Sequence, residues 1–168
     1  MTHRLSYIRT AVIVGTLVVF LYLVNTGILG AERTIATGTP VYLELAPVDP
    51  RSLIQGDYMV LEYAIETEIR RADVDDTPSG TIVARLDADR VARFVRVYDG
   101  GDLADDEILL QYAQTSDWDV RVGVGSFFFQ EGLGDEYANA DYADVRVTAD
   151  GTVMLVDLVG ADFQSLVE

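Results

Sequence analysis

The chain contains no cysteine and no lysine, and its one histidine is His3. Without cysteine there is neither a disulfide framework nor a thiolate metal site, so packing and hydrogen bonding alone must hold the fold. Without lysine, a Ser–Lys hydrolase has no general base, although Ser52 ahead of Gly56-Asp57 superficially fits such a site. A Ser-His-Asp triad and a histidine-ligated zinc or iron site fail on the same inventory, because His3 lies before a long uncharged run. No glycine-rich phosphate loop or dinucleotide fingerprint occurs, and no cofactor is implied.

Positive charge is also scarce. All 12 basic residues are arginine, against 28 acidic residues of which 19 are aspartate. Every acid lies at or beyond Glu32, so the later part of the chain should repel nucleic acid, which is excluded as a partner. Two readings of the aspartate excess stay open. One is a surface kept hydrated at high salt; the other is GC-rich coding with no such requirement.

What the sequence does have is a run of 22 uncharged residues from Thr10 to Ala31. At about 1.5 Å per residue it covers a hydrocarbon core of about 30 Å. His3, Arg4 and Arg9 precede it, and the positive-inside rule then assigns residues 1–9 to the cytoplasm. Residues 10–31 are expected to cross the cell (inner) membrane, with residues 32–168 outside the cytoplasm. A cleaved signal peptide is the rival, with Ala36-Thr37-Gly38 as a small-residue cleavage site, but its apolar region would be shorter.

Beyond the run, period-two alternation predicts half-buried strands. They are expected at Val41–Leu45, Met59–Ile65, Ile82–Leu86, Val91–Tyr98 and Ile108–Gln114. Asp150-Gly151 between the alternating segments Val145–Val147 and Val153–Val156 is a hairpin signal. Asp99-Gly100-Gly101-Asp102 reads as another turn, and Phe127-Phe128-Phe129 as a short strand with one well-buried face. Only Gly134–Ala143 reads as helical, and Arg71–Gly80 as a loop. The expected fold is mainly β: a compact antiparallel barrel or sandwich with one short helix, after a single N-terminal transmembrane helix.

Residues 56–63 read Gly56-Asp57-Tyr58-Met59-Val60-Leu61-Glu62-Tyr63. With the lead-in Pro47–Leu53, the segment Ser126–Gly132, Tyr137, Tyr142 and the Asp150-Gly151 hairpin, this resembles the GDYXXLXY protein family across the chain beyond the anchor. The resemblance implies a membrane-anchored protein of unassigned function, often encoded beside multi-pass membrane proteins, and it carries over no catalytic residue. Physically, Gly56 and Asp57 can form a turn into a strand that buries Met59, Leu61 and Tyr63 and points Tyr58 the other way. Alternatively, Asp57 and Tyr58 are presented at a sheet rim to a ligand or partner, with Arg51 nearby.

The remaining reactive groups are carboxylates, tyrosines and arginines. A carboxylate pair could hydrolyse a glycosidic bond, and Glu131 is the best single candidate because it follows three phenylalanines and could be partly desolvated. Its alternative is a loop carboxylate capping the helix at Gly134. Calcium is the one plausible metal; Asp99, Asp102, Asp105 and Asp106, with Glu107, are its candidates, against a solvated acidic loop. Two functions follow: a non-enzymatic accessory or interaction domain docked on a multi-pass membrane protein, or a carboxylate hydrolase acting on envelope glycans.

Overall fold

A computed structural model describes residues 2–46, 58–72, 78–116 and 119–167. The chain divides into two compact units, Met1–Ala36 and Thr37–Glu168. The first is helix α1, Thr2–Thr37. Its segment Val12–Thr37 is long and apolar enough to span a membrane, and none of its most apolar stretch is buried against protein. Polar side chains in this stretch turn back onto their own helix. Asn25 Nδ2 donates to Leu21 O at 2.8 Å, Thr26 Oγ1 to Leu23 O at 2.9 Å, and Thr34 Oγ1 to Gly30 O at 3.2 Å. The helix continues past Ala31, where the uncharged run ends, because Ala31-Glu32-Arg33 are good helix formers. Gly38 and Pro40 then close it, the expected punctuation just past a helix end.

The second unit holds β1 (Thr39–Glu44), β2 (Tyr58–Val60), α2 (Ala64–Arg71), β3 (Ser79–Leu86), β4 (Ala92–Val97) and β5 (Glu107–Ser116). There follow β6 (Asp119–Val122), β7 (Ser126–Phe128), α3 (Gly134–Tyr137), β8 (Tyr142–Val147) and β9 (Val153–Val159). Pairing is antiparallel throughout the named strands, in the orders β1-β8-β9, β2-β7 and β4-β3-β5-β6. Single backbone links join these sheets into a curled half-barrel. Tyr42 N–H donates to Arg90 O at 3.0 Å, Ala46 N–H to Glu62 O at 2.7 Å, and Gln111 N–H to Gly151 O at 2.8 Å. Alternate residues point inward as the pleat requires, so Val41 and Leu43 meet Val145, Ile82, Leu110 and Leu158 in one apolar core.

The mainly β expectation holds, and the hairpin at Asp150-Gly151 joins β8 to β9 with Gly151 at φ +87°. Three local expectations are corrected. The Met59–Ile65 strand stops at Val60, and Ala64-Ile65 instead open α2. Ile65 and Ile69 are one helical turn apart and both buried, while Glu66 and Arg70-Arg71 sit where the helix dipole favours each sign. The helix expected over Gly134–Ala143 is only α3, because Tyr142 and Ala143 pair with Val159 and Leu158 in β8–β9. Strand β6, absent from the sequence expectation, pairs with β5. The Asp99–Asp102 turn forms, with Asp99 Oδ1 accepting the Gly101 N–H at 3.1 Å. It does not join neighbours, however, since β3 lies between β4 and β5.

Candidate functional site

The Tyr58–Tyr63 segment leaves β2 and enters α2, and its side chains divide between two environments. Leu61 and Tyr63 are each 1% exposed and belong to the core, with Met59 packed against it. Tyr58 is 42% exposed on the other face. The inward and outward assignment read from the sequence therefore holds. Arg51, Gly56 and Asp57 lie outside the described residues.

Three hydrogen bonds stitch this segment to β6 and the β6–β7 connection, and a fourth ties α2 to β6. Leu61 N–H donates to Gly125 O at 3.0 Å, and Arg121 Nη1 donates to Leu61 O at 3.2 Å. The Tyr63 hydroxyl donates to Val124 O at 2.9 Å. Val122 N–H donates to Glu66 Oε1 at 2.8 Å, while Glu66 Oε2 accepts the Tyr63 N–H at 3.2 Å. Glu66 is thus a fully buried acid that caps the first turn of α2 and pins it to β6. Burial pushes its carboxyl above the usual range, opposed by the two backbone N–H bonds and by Arg121 and Arg70. Burial, then the Glu66 charge, also pushes the Tyr63 phenol up. Glu66 escaped the sequence reading. Its signal is an acid three positions after Tyr63, at the spacing by which a helix's third residue reaches back to its cap.

Above this anchor, β2 and β7 form a two-stranded ribbon with Tyr58 opposite Phe128 and Met59 opposite Phe127. The inner side is an aromatic cluster, Phe127 edge-on to Tyr137 at 5.0 Å and Phe129 5.3 Å from Tyr137 between centroids. The outer side carries Tyr58 and Phe128, 5.8 Å apart between centroids. Phe128 is 75% exposed, the most exposed large apolar side chain of the second unit among the described residues. The run of three phenylalanines therefore has one partly buried side packed on the core and one presented side.

The other candidates are not brought together. Glu131 is exposed in the turn before α3 rather than desolvated, and the N-cap of α3 is Leu133 with no side-chain cap. Around the acidic loop, Glu107 bonds Arg96 at 2.8 Å and the Ala104 N–H at 3.2 Å, which holds its carboxyl below the usual range. Asp106 pairs with Arg85 at 3.2 Å, and Asp99 is occupied in its turn. Among the described residues no group of three or more acidic or histidine side chains is placed to hold a metal, so Asp99, Asp102, Asp105 and Asp106 do not converge.

Comparison with known proteins adds one finding. The family described as GDYXXLXY protein matches residues 20–158 of the chain. No curated protein and no solved structure matches it.

Proposed function

The chain belongs to the GDYXXLXY protein family, and on that premise we propose that it is a membrane-tethered accessory domain which docks on a multi-pass membrane protein. The single observation that carries the reading is the Tyr58–Phe128 pair. Two adjacent aromatic rings held in solvent on a ribbon are costly to leave uncovered, and aromatic anchors of this kind dominate protein interfaces. The family motif supplies Tyr58 itself and, through Leu61, Tyr63 and the nearby Glu66, the rigid base beneath it. On this reading α1 is retained in the cell (inner) membrane, with its N-terminus cytoplasmic and the β domain outside. Arg4 and Arg9 before the apolar run support that orientation. The hydrolase alternative draws no support from Glu131, which is exposed in the turn before α3.

The test uses the full chain in its native membranes, with a photo-crosslinking residue at position 128. Adducts to a multi-pass membrane protein are expected, together with loss of co-purification in Phe128→Ala at unchanged thermal stability. If Phe128→Ala retains the same partner at the same yield, the ribbon is not the docking surface.

A further inference from the structure

Resting on the reading of α1 as the anchor of a docking domain, we propose that Asn25 is a contact point inside the bilayer. There it pairs α1 with a transmembrane helix of another protein that offers an amide, hydroxyl or protonated carboxyl at the same depth. Asn25 lies inside the uncharged run, seven residues before Glu32, which is about 10 Å along the helix. That depth is within the hydrocarbon, where a polar group with no partner is strongly disfavoured.

A carboxamide has two N–H donors and an acceptor oxygen. One donor is used at Leu21 O; among the described residues nothing reaches the second N–H or Oδ1. Thr26 and Thr34 differ, since each hydroxyl has placed its only proton on a carbonyl of the same helix. Leu21 and Leu29 lie one turn to either side of Asn25, and Tyr22 puts a phenol on the adjoining stripe. The stripe is therefore apolar with polar groups inside the uncharged run, the pattern by which membrane helices select a polar neighbour.

A second copy of this chain is the poorer occupant. Two anchors side by side would hold two domains together that each carry ten arginines against 28 acids from Glu32 onward. At physiological ionic strength the Debye length is about 8 Å, so like charges facing each other across a contact closer than that repel largely unscreened. A helix of a different protein meets the carboxamide without that repulsion.

The experiment places a photo-crosslinking residue at Leu29, on the Asn25 stripe, or at Leu23, on the opposite side, in the full chain in native membranes. A third probe at Phe128 reads the docking surface separately. The expected result is a Leu29 adduct to one transmembrane segment of a multi-pass protein, with little from Leu23. Its yield should fall about three- to tenfold in Asn25→Leu and be restored in Asn25→Gln, with all variants resistant to carbonate extraction. Equal yields from both sides, no change in Asn25→Leu, or adducts made of two copies of this chain would overturn the proposal. If the Phe128 adduct persists while the Leu29 adduct does not form, docking stands and the Asn25 contact falls. If only the Leu29 adduct forms, the contact stands and the ribbon loses its role.

Discussion

Glu66 and Val122 are 56 residues apart in sequence, yet the Val122 N–H donates to the Glu66 carboxylate at 2.8 Å with both residues buried. This bond joins α2 to β6, and with the Tyr63 N–H on the other carboxylate oxygen it leaves neither oxygen free of a donor.

Glu66→Ala should lower stability by about 2–4 kcal/mol, because two backbone N–H groups lose their acceptor. The pH dependence follows from the sign of the shift. Burial raises the folded value above the ordinary 4.5, so the folded chain holds this proton to higher pH than the unfolded chain. The contribution of Glu66 is fully present below the unfolded value and is lost as pH rises through the folded one. Relative to Glu66→Gln, which does not titrate, the wild type should therefore lose stability as pH rises from about 4.5. Denaturant melts of both proteins in parallel would test this; a difference that stays flat with pH contradicts it.

Leu61→Ala should cost about 2–5 kcal/mol and Tyr63→Phe about 1 kcal/mol, the first through a core cavity and the second through the lost bond to Val124 O. Urea titrations of residues 37–168 measure both. Wild-type behaviour in each would mean that the segment does not face the core.

Much of this arrangement was legible in advance, and the failures have physical causes. Val41, Leu43, Ile82 and Leu110 were found by alternation because strands with one buried face write period two into the sequence. The same rule overran into Ile65, whose position happens to continue the alternation before the backbone turns helical. Strand β6 is four residues long, too short to register by its pattern. Three phenylalanines in a row give a strand with one buried face, but nothing local says which ring is presented, and it is Phe128. Glu66 was invisible because its partner comes from a distant strand that no local pattern connects to it.

Full-length protein extracted from membranes should have the intact mass of the whole chain, 18.5 kDa. Mass spectrometry of the extract checks this, and a species beginning near Thr39 would mean that α1 is removed as a leader.

From Glu32 onward the formal charge is −18, ten arginines against 28 acids. The Debye length falls from about 30 Å at 0.01 M salt to about 3 Å at 1 M, so self-repulsion fades across that range. If the acidity is an adaptation to high salt, the domain should keep gaining stability up to molar potassium chloride. Thermal melts along a salt series decide it; a plateau by about 0.2 M leaves the genomic explanation for the missing lysines.

Strand β1 follows α1 directly, yet its pairing partner is β8, with Thr39 opposite Val147. The first strand made is therefore among the last to be satisfied. Until β8 arrives, β1 has an open edge and its apolar residues Val41 and Leu43 have no sheet to complete. Pairings between chain ends require closing a long loop first, which slows folding and prolongs the life of partly open forms. The molecule is thus most exposed to misassociation during its own synthesis, and its vulnerable surface at that stage is the segment just beyond α1.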